Sequence, residues 1–84
     1  MTIEEQIKGF ISRNLIFSSN GFPYSEEVSF LDQGIVDSIG IMQLVCFVED
    51  TFKLVVEDWE ITPMNFDSVA RLAGYVRSKV KSDV

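Results

Sequence analysis

The sixteen residues from position 37 to 52 constrain the fold more than any other part of the chain. On a helical wheel at about 100° per residue, Ile41, Leu44, Val45, Val48 and Phe52 fall within roughly a third of the circumference. Ser38, Met42, Cys46 and Glu49 share a different side, and Ile39, Gln43 and Asp50 adjoin it. Asp37 stands where an N-cap belongs and is a favoured residue there. The spacing predicts an amphipathic helix with a core stripe that Phe52 closes. Its other side is left for solvent or a partner.

That stripe needs apolar faces to pack against, and both flanks supply them. Thr2 and Glu5 form a capping-box pattern, after which Ile3, Ile7, Phe10, Ile11 and Leu15 recur at helical spacing. A first helix is expected to end near Ile16 to Ser18. The run Ser18-Ser19-Asn20-Gly21-Phe22-Pro23 is dense in breakers, and no period returns before Gly34. This long connection carries Phe22, Val28, Phe30 and Leu31, so it is expected to lie across the bundle. Lys53-Leu54-Val55-Val56 has no second strand to pair with and is expected to be an extended link. Thr62-Pro63 begins a short helix with proline at its first position. Asp67-Ser68-Val69 opens the last helix, with Asp67 or Ser68 as cap. Its period runs through Val69, Leu72, Ala73, Val76 and Val80, and Lys79 and Lys81 complement the dipole at its end. The expected fold is all-α: a small four-helix bundle of three main helices and one short one, with a long first loop. It occupies residues 1–84 as one domain.

Composition removes several classes of function. The chain has no histidine and one cysteine, Cys46. Ser-His and Cys-His nucleophile pairs, multi-cysteine metal sites and internal disulfides are therefore excluded, and no catalytic or metal-ligating set is expected. Glu57, Asp58 and Glu60 do not follow a calcium-loop pattern and are read as a solvated face. Trp59 is expected to pack over the bundle edge. Residues 26–67 hold ten acids against one base, Lys53, within a net charge of −6. Such an acidic middle repels nucleic acid; it is compatible with basic protein partners, though charge alone favours the plainer reading that it keeps a small protein in solution. No apolar run approaches the roughly 20 residues of a membrane span, and no secretion signal precedes the first helix. A cytoplasmic monomer, not an integral membrane protein, is the expectation.

One phrase carries chemistry: Leu31-Asp32-Gln33-Gly34-Ile35-Val36-Asp37-Ser38-Ile39. A glycine loop runs into Asp-Ser at a helix start, where free backbone N–H groups and the dipole favour a phosphate. Asp37 already serves as cap, so the Ser38 hydroxyl is not needed for that purpose. Asp67-Ser68 is the same dipeptide without the preceding loop, and reads as a cap only.

This phrase, the interval from Ser38 to Phe52, and the run Asn65-Phe66-Asp67-Ser68-Val69 together resemble the acyl carrier and peptidyl carrier proteins. The resemblance extends from the capping box to Val76. It implies a 4′-phosphopantetheine on Ser38, transferred from coenzyme A by a phosphopantetheinyl transferase with magnesium. It implies a role for Asp37 in transferase recognition besides its cap. It further implies that the arm's thiol, and not Cys46, carries an acyl or aminoacyl thioester. An adenylating ligase or an acyltransferase would load it, and downstream biosynthetic enzymes would use it. Such a protein is a carrier and not an enzyme. The expected partner face comprises Ile39, Met42, Gln43, Cys46, Glu49 and Asp50.

Carriers of fatty-acid synthesis follow the serine with an acid-rich helix. Here Gly40, Met42 and Gln43 stand there, and acids come only at Glu49 and Asp50. The run from Asp37 to Leu44 is similar instead to D-alanyl carriers and other discrete aminoacyl or peptidyl carriers, which implies a specialised pathway. Two alternatives stay open: a general fatty-acid carrier, and an unmodified helical interaction module.

Overall fold

Thr2 opens the first helix, α1 (Ile3–Asn14), with the reciprocal cap its sequence encodes. Glu5 N–H donates to Thr2 Oγ1 at 3.1 Å, and Thr2 N–H donates back to Glu5 Oε1 at 3.3 Å. The computed structural model describes residues 2–82, with side chains to Val80. Helix α1 stops a turn earlier than its apolar period suggests. Leu15 caps it, and Phe17 turns the chain with a φ of +53°. Helix α2 (Ser38–Phe52) begins at Asp37, whose Oδ1 accepts the Gly40 N–H at 2.8 Å. A 3₁₀ turn at Asp58–Glu60, unanticipated by the periodicity, leads to the short α3 (Pro63–Phe66), with Pro63 at its first position. Helix α4 (Val69–Ser82) then packs against α1, α2 and α3. There is no strand among the described residues, so the fold is the all-α bundle of three main helices and one short one.

Ile7 and Ile11 of α1, Leu44 and Val48 of α2, and Leu72 and Val76 of α4 are completely enclosed. Burying each stabilises the fold by roughly 1.5–3 kcal/mol. The connections add as much as the helices. Phe30, Ile35 and Val36 from the long loop are buried, as are Leu54 and Val56 from the link after α2. In that link Val55 points outward, the alternation of an extended segment. One of its amides is satisfied without a second strand: Val56 N–H donates to Glu49 Oε2 at 2.9 Å.

The expectations for Phe52, Trp59 and Glu60 need correction, and those for Val80 and Lys79 gain detail. Phe52 does not close the core. It is half-buried at one end of an aromatic row, where Phe10 stacks on Phe47 at 4.4 Å and Phe47 meets Phe52 edge-on at 6.0 Å. Val80 keeps the helical period but is 45% exposed, while Val76, one turn earlier, is fully enclosed. Trp59 is 76% exposed and does not pack over the bundle edge; it stands in the middle of the 3₁₀ turn. Lys79 does not serve only the α4 dipole; its ammonium lies 3.0 Å from Glu60 Oε1. The Lys81 side chain lies outside the described residues.

Glu60 is also not part of a solvated face. It is buried, and its Oε1 accepts from Glu57 N–H and Tyr75 Oη–H, both at 2.9 Å, as well as from Lys79. The Glu57 N–H, then Lys79 and Tyr75, hold its carboxyl below the usual range despite burial. Burial pushes the Tyr75 phenol above its ordinary value, and the Glu60 carboxylate adds to the shift.

These two groups give opposite pH dependences. Glu60 is more acidic folded than unfolded, so its contribution is full above the unfolded value of about 4.3 and fades as pH falls through the folded one. Urea midpoints should fall on acidification, and less steeply in Glu60→Gln. Tyr75 is less acidic folded, so its contribution is full below about pH 10 and is lost as pH rises through the folded value. Tyr75→Phe should cost about 1–2 kcal/mol in urea denaturation at neutral pH and should remove this alkaline loss.

Candidate functional site

The position of Ser38 is set by a single helical turn that precedes it. Ser29 caps this turn, with its Oγ accepting the Asp32 N–H and its carbonyl the Gln33 N–H, both at 3.1 Å. Gly34, at φ +65°, ends it. Gly34 N–H donates to the Leu31 carbonyl at 3.2 Å, and Ile35 N–H to the Phe30 carbonyl at 2.9 Å. That bond pair is a left-handed helix terminus, which glycine adopts without a steric penalty. It buries Phe30 and Ile35 in one cluster.

Asp67 fastens this turn to the α3–α4 junction. Its carbonyl accepts the Phe30 N–H at 2.7 Å, Oδ1 accepts the Leu31 N–H at 3.0 Å, and Oδ2 accepts the Ser29 hydroxyl at 2.5 Å. Asp67 is therefore not the cap of α4. Ser68 is: it is buried, and its Oγ accepts the Arg71 N–H at 3.1 Å.

Beyond the turn, Val36 is buried and the chain enters α2 at close quarters. A Cβ on Gly40 would lie 2.6 Å from Val36 Cγ1, so a glycine is required where the first turn of α2 presses on the loop. Asp37 consumes the Gly40 N–H, which leaves the amides of Ser38 and Ile39 at the free end of the helix. Ser38 is the first residue of α2 and is exposed, and its hydroxyl makes no hydrogen bond among the described residues. The carboxylates of Asp37, beside it in the chain, and Asp67, across the first cleft, are engaged with the Gly40 N–H and with the Leu31 N–H and Ser29 hydroxyl. The arrangement offers an exposed hydroxyl to an incoming reagent.

Three clefts surround this position. The first, about 280 Å³, lies between Ser38, Ile41 and Met42 on one side and Ile61, Pro63, Phe66 and Asp67 on the other, with Leu31 at its edge. The second runs between α1 and α2, and here the structure brings together Ile39, Met42, Gln43, Cys46 and Asp50 with Phe10 and Phe47. The third joins Asp37, Ile39, Gly40 and Gln43 to Asn14 and Phe17 at the end of α1. Neither lysine nor arginine lines any of the three. Glu49 is set apart from this group, with its carboxylate turned to the Val56 amide. No group of three or more His, Cys, Asp or Glu among the described residues is arranged to hold a metal ion.

Sequence reasoning did not find Ile61, Phe66 or Phe17 as neighbours of the site. Ile61 and Phe66 sit in and beside very short helices, where no period can develop. Phe17 sits among breakers that signal only a turn.

Two substitutions test how the serine is positioned. Gly40→Ala should cost about 1–3 kcal/mol, because its methyl meets buried Val36. Asp67→Ala should cost about 2–3 kcal/mol by urea denaturation and speed hydrogen exchange at the Leu31 amide.

The chain matches no protein-family model, and no curated protein sequence is significantly similar to it.

Proposed function

We propose that the chain is a carrier protein bearing 4′-phosphopantetheine on Ser38. The contrast between its two Asp-Ser pairs carries this reading. Ser38 is exposed and unbonded at the first position of a long helix, with the cap supplied by Asp37. Ser68, in the same dipeptide, is buried and occupied as a cap. The residues suit the group, since the free amides at the start of α2 favour a phosphodiester and nothing covers the hydroxyl. When attached, the arm supplies a thiol that holds cargo as a thioester.

In the modification, a base of a phosphopantetheinyl transferase takes the Ser38 hydroxyl proton. The oxygen forms a bond to the coenzyme A phosphorus that bears pantetheine, the pyrophosphate bond breaks, and adenosine 3′,5′-bisphosphate leaves. Magnesium held by that enzyme offsets the phosphate charge. An adenylating ligase or an acyltransferase then loads an aminoacyl or acyl group for enzymes of a specialised cytoplasmic pathway. A general fatty-acid carrier is the less favoured version. With Glu49 engaged by Val56, Asp50 is the one acid of α2 left for a basic partner, so docking rests on Ile39, Met42 and Cys46.

Intact mass after incubation with coenzyme A, magnesium and a broad-specificity transferase tests this. One phosphopantetheine adduct is expected on the wild type and on Ser68→Ala, and none on Ser38→Ala. A folded wild type that takes no adduct from several transferases would favour an unmodified interaction module instead.

A further inference from the structure

Ser38, Met42, Cys46 and Asp50 follow one another at intervals of four residues, and all four are exposed. On a helix such residues are neighbours, so they form one row along α2. The row begins at the Ser38 hydroxyl and enters the second cleft at Met42. It ends at Asp50, twelve residues on, about 18 Å further along the axis at 1.5 Å per residue. The Asp50 carboxylate makes no hydrogen bond or ion pair among the described residues. Glu49, by contrast, is bonded to the Val56 amide, and Asp67 of the first cleft to Leu31 and Ser29. Neither lysine nor arginine lines the second cleft, so the Asp50 charge is uncompensated there.

A 4′-phosphopantetheine spans about fourteen bonds from the serine oxygen to its sulfur, roughly 16 Å at the advance per bond of an extended backbone. A carbonyl and one further carbon bring the α-position of a cargo level with Asp50. Gln43, whose side chain makes no hydrogen bond among the described residues, stands partway along, where the amides of such an arm pass. Phe10 and Phe47, stacked at 4.4 Å, add apolar surface to the groove. The first cleft, lined by Ser38 itself, offers no free charge, since its single carboxylate is that of Asp67. The reach from Ser38 and the free charge at the end of that reach agree on one occupant of the second cleft.

We propose that this groove holds the end of the Ser38 arm, and that Asp50 reads a cargo with a cationic amine beside its thioester carbonyl. The ligand class is an α-aminoacyl group. A cargo ending in a carboxylate, such as malonyl, meets repulsion from Asp50 instead. This rests on Ser38 being the modified residue. Met42 and Phe47 pack on the cargo side chain, Gln43 bonds the arm, and Asp50 distinguishes an aminoacyl from an uncharged acyl group.

The experiment uses the whole chain, loaded by a transferase from two coenzyme A analogues whose arms end in a stable alanyl or isobutyryl amide. The two cargoes share one shape and differ by an ammonium against a methyl. Nuclear Overhauser contacts are read from the cargo methyls to the Phe47 ring and the Met42 methyl. They are expected in the alanyl form, about two- to fivefold stronger than in the isobutyryl form, the range of an exposed ion pair. Asp50→Asn should bring the alanyl contacts down to the isobutyryl level, and Asp50→Glu should keep part of the difference. Both variants should keep the wild-type thermal midpoint, since Asp50 is exposed. Contacts from the alanyl cargo to Ile61 and Phe66 instead place it in the first cleft and overturn the proposal. Equal contacts for the two cargoes, none for either, or no response in folded Asp50→Asn overturn it as well. A wild type that takes neither analogue brings down the Ser38 assignment first, and is thereby told apart from these outcomes.

Discussion

The three hydrogen bonds that converge on Asp67 are the constraint on which the rest of the site depends. A long connection between α1 and α2 carries a large conformational freedom, and closing it costs entropy that burial of Phe30 alone does not direct. Asp67 supplies the direction. Its carbonyl and both carboxylate oxygens take Phe30, Leu31 and Ser29, so the turn before Ser38 has one orientation against the α3–α4 junction. Gly34 then stops that turn, Val36 goes into the core, and Gly40 lets α2 start in contact with it. Each step is local, yet together they place Ser38 by way of a residue 29 positions further along the chain.

Glu60 does for the opposite wall of the first cleft what Asp67 does for the loop. A buried carboxylate is costly unless its lone pairs are filled, and three donors from Glu57, Tyr75 and Lys79 fill them. Its carbonyl takes the Asn65 side-chain amide and the Thr62 N–H, both at 2.9 Å, which sets the approach to Pro63. Both walls are therefore held by directional bonds. Apolar packing fixes how the long helices lie, and polar contacts fix where the cleft opens.

The same division explains what was legible in the sequence. Helical periods, the Thr2–Glu5 box, the Asp37 cap and Pro63 are local signals, and they placed α1, α2, α3 and α4 with their faces. The exposed strip of Ile39, Met42 and Cys46 followed from the wheel alone. Phe52 misled because a wheel counts angular position and not what stands opposite; Phe10 and Phe47 meet there and keep the ring at the margin. Glu60 and Asp67 were unreadable for a stronger reason. Their partners, Tyr75 and Ser29, lie 15 and 38 residues away, and an acid in sequence looks the same whether it meets water or a buried hydroxyl. Ser38 stood out because its signal is a phrase at a helix start, where backbone geometry needs no distant partner.

Recognition of such a surface differs from that of an acid-rich one. Charge acts at long range and governs encounter, whereas apolar fit acts on contact and governs dissociation. The helix after Ser38 keeps Asp37 at its start and Asp50 near its end, and the exposed positions between them are Ile39, Met42, Gln43 and Cys46. Glu49 is spent on the Val56 amide. On the carrier reading, a basic enzyme is drawn by the acidic middle of the chain, as by many small acidic proteins, and gains little selectivity from it. On the same reading, what distinguishes one partner from another is the shape presented by Ile39 and Met42, with Phe17 on one flank and Leu31 on the other. These side chains surround Ser38 without contributing to the enclosed core, which Leu44 and Val48 supply from the same helix.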